Sequence, residues 1–175
     1  MSFLDTGRIG LTQIIVDALR SAPRLALVGF GLGNPDWDGD GAPPVSREST
    51  ALVAPVAYVS AYAIDYAKLR SEVVSPGPLP VVVDGVEYEP VTTPSPLLLI
   101  RALLPLTFAS ANGRLLREVG LSLKPTFAGG VGLQQTRFLP AEIADTGRMV
   151  EIRRFTALPH DGSNSGLAAA FLVEL

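Results

Sequence analysis

The pattern of apolar and polar positions predicts one helix near the start of the chain, over residues 6–20. Asp5 or Thr6 can cap its first free N–H groups. Because two glycines weaken the first turn, the true start can lie nearer Thr12. The apolar residues of this segment recur with helical spacing and predict one buried stripe, formed by Leu11, Ile14, Ile15, Ala18 and Leu19.

The remaining pattern predicts short strands joined by turns. Residues 25–32 form an apolar run that is too short for an independent helix, which favours a buried strand. Residues 48–68 alternate in strand fashion; their alanines would also permit a helix, but Pro55 and the β-branched and aromatic residues favour one strand. Later in the chain we predict strands at 135–140, 149–158 and 167–175, a glycine-containing loop at 124–132 and a turn at 159–164.

A hairpin over residues 97–121 is the most clearly predicted piece of architecture. Its first strand is apolar as far as Phe108, and its second begins at Arg114. Between them, Asn112-Gly113 tolerates the positive φ angles of a tight hairpin turn. The hairpin contains no group typical of catalysis, so we expect it to belong to the core.

Residues 69–96 form a proline-rich insertion that contains a second, smaller hairpin. Valine-rich segments flank Asp84-Gly85, which is a strong turn signal. We therefore predict an inserted β-ribbon, which is either an ornament of the fold or a protruding contact arm. Glu87 and Glu89 share one face of the ribbon, where they would repel each other unless solvated, so both are predicted to lie on the surface.

Length and composition place these elements in a mainly β (α+β) fold. The 175 residues suffice for one domain, 1–175, with a substantial core. Fifteen prolines and seventeen glycines favour many short strands over a helical bundle. We expect an antiparallel sheet or sandwich with one N-terminal helix and the inserted ribbon. The charged fraction of 18% is below the usual ~25%, which indicates either a β-rich protein or surface buried against partners.

Several function classes are excluded by charge and cysteine content. A net charge of −3 with no basic cluster argues against a nucleic-acid partner. The absence of cysteine removes disulfides, thiolate metal sites and cysteine catalysis. No apolar run reaches the ~18 residues of a membrane span, and the N-terminal residues lack the pattern of a signal peptide.

Glycines at 29, 31 and 33 superficially suggest a phosphate-binding loop. The dinucleotide fingerprint, however, needs the spacing G-x-G-x-x-G at the start of a helix. Here the spacing is G-x-G-x-G and the sequence continues as Asn-Pro-Asp-Trp, which is a loop pattern. Close packing of a strand, or a bulge, is the better interpretation of these glycines.

The loop at residues 34–44 is the one candidate cation site. Asp36, Asp38 and Asp40 match positions one, three and five of a calcium loop, but position twelve is Arg47 rather than an acid. The alternatives are a solvated loop with an Asx turn and a carbohydrate- or calcium-binding β-module that uses the Asp36–Asp40 loop and Trp37.

His160 is the single histidine, and Asp161 and Ser163 follow it closely. Members of a catalytic triad usually meet across a fold, and this composition is typical of a turn, so a hydrolase is the remote hypothesis. We predict no catalytic, cofactor-binding or metal-binding residue in the chain, and no cofactor.

The order of these segments resembles the N-terminal, baseplate-attaching domain of contractile-phage tail fibre proteins. That family opens with a leucine-threonine helix, as at Leu11-Thr12, and continues with a strand that runs into a glycine- and aspartate-rich loop, as at residues 28–41. A Thr-x-Leu segment follows, as at residues 49–53. The most specific match is a proline-containing apolar strand, a glycine turn and the segment Arg117-Glu118-Val119-Gly120-Leu121.

The resemblance covers residues 9–123, including the ribbon at 69–96, which is longer than the family pattern; residues 124–175 add C-terminal strands. It implies a non-catalytic virion protein of a phage or prophage tail, assembled in the bacterial host cytoplasm. Its expected partners are baseplate and tail fibre proteins, in a homo-oligomer that follows tail symmetry. Because the chain ends at Leu175 with no room for a fibre shaft, we expect an adaptor between fibre and baseplate.

Overall fold

The structure is a computed structural model that describes residues 3–46, 49–108, 111–161 and 166–174; for residues 3–5 and for Asp40 only the backbone is described. Within these ranges, none of the helices has the length and apolar character needed to cross a membrane.

The protein is mainly β and antiparallel with one long N-terminal helix, as the sequence predicts. The helices are α1 (Phe3–Ser21) and the single turn α2 (Trp37–Asp40), with 3₁₀ turns at Pro23–Leu25, Arg70–Glu72 and Pro140–Glu142. The strands are β1 (Ala26–Gly31), β2 (Pro55–Ser60), β3 (Ala63–Leu69), β4 (Val81–Val83), β5 (Val86–Val91), β6 (Leu97–Leu104), β7 (Arg114–Leu123), β8 (Thr126–Phe127), β9 (Arg137–Phe138), β10 (Ile143–Asp145), β11 (Arg148–His160) and β12 (Leu167–Glu174).

The chain forms two compact units, and each contains segments that are far apart in sequence. The helix unit consists of Met1–Pro23, Tyr62–Arg101 and Ala170–Leu175. The sheet unit consists of Arg24–Ala61 and Ala102–Ala169.

The sheet unit contains a five-stranded sheet in the order β11-β7-β1-β2-β9, with β8 and β10 as a separate pair. Every residue of β1 is buried, as its continuous apolar run predicts, and β2 and β7 pair with its two edges. One core cluster joins Leu27, Tyr58 and Phe138, and Phe127 packs against it with its ring centroid 4.7 Å from that of Phe138.

The helix unit contains the sheet with the strand order β12-β6-β3-β5-β4. Most residues of β6 and of β12 belong to this unit. Ala67, Val83 and Leu99 form its buried cluster. The predicted ribbon is confirmed: β4 and β5 pair across Asp84-Gly85, whose φ angles of 51° and 78° fit a two-residue hairpin turn. The ribbon is also part of the sheet, because β5 pairs with β3.

The first helix is longer than predicted and buries a different face. It begins at Phe3, so Thr6 lies inside it rather than at its cap; the side chain of Asp5 is outside the described set. Thr12, Val16 and Leu19 are buried, whereas three members of the predicted stripe are exposed, namely Leu11, Ile14 and Ala18. Thr12 can be buried because its hydroxyl donates to the carbonyl of Arg8.

The predicted hairpin at residues 97–121 is wrong as a pairing, although both strands exist. β6 pairs with β3 and β12, whereas β7 pairs with β1 and β11. The glycine turn is present, with φ of 70° at Gly113, but its N–H donates to the carbonyl of His160 in β11. Hydrophobic periodicity located the strands, but it contains no information about their partners.

The single strand predicted at residues 48–68 is two strands in different sheets. β2 ends at Ser60 and β3 starts at Ala63, and the chain changes unit between Ala61 and Tyr62. Pro55 begins β2, where its missing N–H is tolerated. Glu48, at the start of the prediction, is outside the described residues.

The C-terminal strands are largely as predicted. β9, β11 and β12 fall within or around the expected segments, whereas β8 lies in the segment 124–132 that was predicted to be a loop, and β10 lies where no strand was predicted. The predicted turn at 159–164 is wrong at its start, since Pro159 and His160 complete β11. Residues 162–165, which include Ser163, are outside the described ranges.

Candidate docking surfaces

The acidic loop, residues 34–44, is held against the sheet by an arginine from β7. Arg117 donates from Nε and Nη2 to the two carboxylate oxygens of Asp38, at 2.8 and 2.5 Å. Its Nη1 donates to the carbonyl of Leu32 at 3.1 Å. The guanidinium is nearly buried, whereas Asp38 remains 40% exposed. Paired N–H···O bonds of this kind fix orientation as well as distance, so the loop has a defined position.

The charge state of Asp38 is set mainly by this pairing. The hydrogen bond from Arg117 is the largest effect and lowers the pKa of Asp38 below its ordinary 3.8. Desolvation opposes it, while the Arg117 charge and the N–H of Ala157 lower the pKa further. Asp38 is therefore ionised at neutral pH, and both of its carboxylate oxygens are paired with the Arg117 guanidinium.

A second arginine, from β11, holds the other half of the loop. The guanidinium of Arg154 lies 4.7 Å from the ring centroid of Trp37 and donates to the carbonyls of Pro43 and Pro44, at 3.1 and 3.4 Å. Stacking on an aromatic face with simultaneous hydrogen bonding is a geometry that arginine favours over lysine. The acidic loop is thus attached at both ends while most of its residues remain exposed.

Glu118, the neighbour of Arg117 in β7, is a fully buried carboxylate. Neither of its oxygens makes a hydrogen bond of ordinary geometry in the described part of the chain; the N–H of Val53 is the nearby donor that acts on it, and Nε of Arg154 lies 3.9 Å away. Burial raises the pKa of Glu118 above its ordinary 4.5, against the weaker opposing effects of the Val53 N–H and Arg154. The Glu118 charge in turn contributes to the raised pKa of buried Tyr58, which desolvation dominates.

We expect Glu118 to make the protein less stable as the pH rises above 4.5. Between its unfolded and raised folded pKa, the folded state binds more protons, so the free energy of unfolding falls with rising pH. The Glu118→Gln variant should show a flatter dependence in this window, measured by urea unfolding at a series of pH values. An unchanged slope would contradict the burial argument.

Glu142→Gln provides a control of opposite sign. Hydrogen bonds from Gln135 and from the N–H of Leu139 lower the pKa of Glu142. Its stabilisation is present above 4.5 and is lost as the pH falls through its folded pKa. Asp38 behaves in the same way below 3.8, so neither group obscures the window of Glu118.

The glycines at 29, 31 and 33 are packing residues, as the sequence interpretation favoured. A Cβ on Gly29 would lie 2.6 Å from the Tyr58 ring, and one on Gly31 would lie 2.5 Å from Oε1 of Glu118. The register between β1 and β2 also shifts at Phe30/Gly31, as it does at a β-bulge. Gly29 and Gly31 therefore allow side chains of neighbouring strands to approach the backbone of β1, and a Cβ on Gly33, which follows β1, would clash with the Trp37 ring.

The calcium-loop hypothesis gains no support from the geometry. Asp38 is engaged by Arg117, Trp37 is half-buried under Arg154, and the side chain of Asp40 is outside the described set. In the part of the chain that the structure describes, no group of acidic or histidine side chains is arranged to hold a metal ion. The Asx turn is present, because the N–H of Asp36 donates to Oδ1 of Asn34 at 3.1 Å.

His160 is a buried strand residue rather than an exposed turn residue. Its Nε2 lies 3.2 Å from the carbonyl of Pro105, and its side chain is 1% exposed. Ser163, the serine of the remote hydrolase hypothesis, is outside the described ranges, so that arrangement stays untested.

A second candidate surface is the proline arm, which we define as residues 73–80 in the helix unit. Its centre is fixed at Gly77, whose N–H donates to Oε1 of Glu89 at 2.7 Å and whose carbonyl accepts from Nη2 of Arg70 at 2.9 Å. Arg70 also bonds Glu89 at 3.4 Å. A Cβ on Gly77 would lie 2.7 Å from Glu89, so a larger residue would disturb this contact.

The prediction that Glu87 and Glu89 both lie on the surface is wrong for Glu89. The side chain of Glu89 is 12% exposed, whereas that of Glu87 is 57% exposed. Their mutual repulsion is relieved because Arg70 lies within 3.7 Å of Glu87 and bonds Glu89. Arg70 is the base in this segment that could pair with the two acids, but it precedes Glu89 by nineteen residues, so the sequence pattern did not indicate that they meet.

The described residues thus form a mainly β, antiparallel protein in which arginines hold an exposed loop and an exposed arm in position. The family model "Baseplate wedge 3 tail fiber network component" matches residues 15–174, and the chain belongs to this family. It is therefore a structural component of the phage tail, at the baseplate and tail fibre network.

This membership confirms the resemblance to a phage baseplate and tail fibre family. The match also extends through the C-terminal strands, beyond the residues 9–123 that carried the resemblance. Among curated proteins, no sequence matches the chain.

Proposed function

We propose that the protein is a non-catalytic adaptor that links tail fibre to baseplate. Family membership over residues 15–174 is the observation on which the proposal rests. The two surfaces described above support it, because an adaptor needs at least two positions at which partners can bind. The acidic loop lies in the sheet unit and the proline arm in the helix unit.

The fixed geometry of both surfaces also suits a load-transmitting role. Arg117 and Arg154 attach the acidic loop, and Arg70 with Glu89 attaches the arm. A surface that is already ordered loses less conformational entropy when it binds. We propose assembly in the host cytoplasm, as a homo-oligomer that follows the symmetry of the tail.

Purified baseplate wedge and tail fibre proteins of the same phage would test the adaptor role. We expect the full-length chain to form a ternary complex with one of each, detected by size exclusion with light scattering. Tails assembled without the protein should lack fibres in electron micrographs. Fibres that attach normally to such tails would overturn the proposal.

A further inference from the structure

We propose that the proline arm is a preformed apolar ligand for a pocket with a basic rim on another tail protein. This inference rests on the proposed adaptor function and adds the surface used and the chemistry of the partner. Four observations support it. They are the exposure of Val74 and Leu79, the hydrogen bonds that fix Gly77, the prolines that lack a backbone N–H, and the negative charge around the arm.

The arm exposes large apolar side chains to an unusual degree. Val74 is 99% exposed and Leu79 is 81% exposed, on opposite sides of Gly77. Pro76 of the arm and Val86 of the ribbon line the same open groove of about 530 Å³. Exposed apolar side chains that cluster in one segment mark interaction sites more often than scattered ones do.

Fixation at Gly77 makes this surface ready for binding. Both main-chain polar groups of Gly77 are bonded by Arg70 and Glu89, and Glu89 is largely buried. Val74 and Leu79 are therefore displayed on either side of a fixed point. Binding then requires little further ordering of the backbone, which favours affinity.

The same segment is unsuited to strand addition. Prolines at 76, 78 and 80 lack the N–H that a sheet ladder requires, and the N–H of Gly77 is already used. A partner must therefore recognise the side chains rather than the backbone. An apolar pocket satisfies this requirement, whereas an open sheet edge does not.

The negative charge around the arm indicates that the rim of the partner pocket is positively charged. Residues 69–96 contain four acids against one base, and Glu72, Asp84 and Glu87 are exposed. Lysine or arginine at the rim of the partner pocket would complement this charge and guide association. An anionic membrane surface would be repelled, which favours a protein partner.

The test measures binding to the purified baseplate wedge and tail fibre proteins. It compares the full-length wild-type chain with one variant altered in the arm and one variant altered in the sheet unit. The double variant Val74→Asp with Leu79→Asp should raise the dissociation constant roughly 30-fold or more. Leu133→Asp is the matched control, because Leu133 is 83% exposed but lies in the sheet unit, and it should bind like the wild type. Raising NaCl from about 0.1 to about 0.5 M should weaken wild-type binding several-fold.

Gly77→Ala tests the fixation itself, because its Cβ would lie 2.7 Å from Glu89. We expect weaker binding with an unchanged circular dichroism spectrum; unchanged binding would show that a preformed arm is not required.

The outcomes separate this inference from the adaptor proposal. If the wild type binds a tail protein and the double variant binds equally well, the arm is not the ligand, while the adaptor role stands. If the wild type binds neither partner, the adaptor role fails as well. Loss of self-association in the double variant would assign the arm to a second copy of the chain. Arm-dependent flotation with vesicles of phosphatidylcholine and phosphatidylglycerol would assign it to a membrane; either result overturns the inference.

Discussion

Replacing Phe138 with alanine is expected to lower the free energy of unfolding by about 3–5 kcal/mol. The ring is fully buried and contacts the cluster of Leu27, Tyr58 and Phe127. Its strand has only two residues, so few other contacts hold this edge of the sheet. The guanidinium of Arg24, which lies 5.4 Å from the Phe138 ring centroid, would lose part of its aromatic surface. Urea unfolding of the purified chain would measure the change.

Leu139→Ala is the control, since this neighbouring side chain is 46% exposed and should change stability by only about 0.5 kcal/mol. The experiment also tests our proposal that residues 1–175 form one domain. Each unit is assembled from segments that are distant in sequence, so we expect both to unfold in one transition. Two transitions, with only one shifted by Phe138→Ala, would contradict that proposal.

Gly31→Ala is expected to destabilise the protein by about 1–3 kcal/mol through overpacking. The new Cβ would lie 2.5 Å from Oε1 of Glu118 and 2.9 Å from the carbonyl oxygen of Val53. The carboxylate can move aside, but it is buried beside Arg154, and the backbone carbonyl cannot move without shifting the chain before β2. Chemical denaturation gives the size of the effect.

Gly129→Ala is the matched control for Gly31→Ala. Apart from its chain neighbours, no atom lies within 4 Å of a Cβ placed on Gly129, so the substitution should be neutral or stabilise by about 0.5 kcal/mol through the unfolded state. Equal effects at both glycines would show that chain flexibility, rather than close packing of β1, explains the glycine pattern.

The sequence predicted local structure well wherever the signal was itself local. Asp84-Gly85 forms the expected turn, residues 26–31 form the expected buried strand, and proline content correctly indicated many short elements. It predicted strand partners poorly. β6 and β7 follow each other in sequence and are both rich in leucine, yet they pair with strands from elsewhere in the chain.

The sequence also predicted poorly which side chains meet at the candidate surfaces. The segment from Arg117 to Leu121 identified the family, and its matching model confirms that resemblance. The roles of its two charged residues were not evident, because Asp38 precedes Arg117 by seventy-nine residues and Arg154 follows Glu118 from another strand. The strand pattern likewise predicts a surface position for Glu89, whereas in the structure it is buried beside Arg70.

By itself, the sequence determined the mainly β class, the position of the long helix, the ribbon turn and the family. These follow from turn chemistry, hydrophobic periodicity and a linear motif, all of which act over a few neighbouring residues. Only the tertiary structure decided which face of α1 is buried, which strands pair, and which carboxylates are held by arginines. Those outcomes depend on contacts between residues far apart in the chain, whose energies local sequence does not encode.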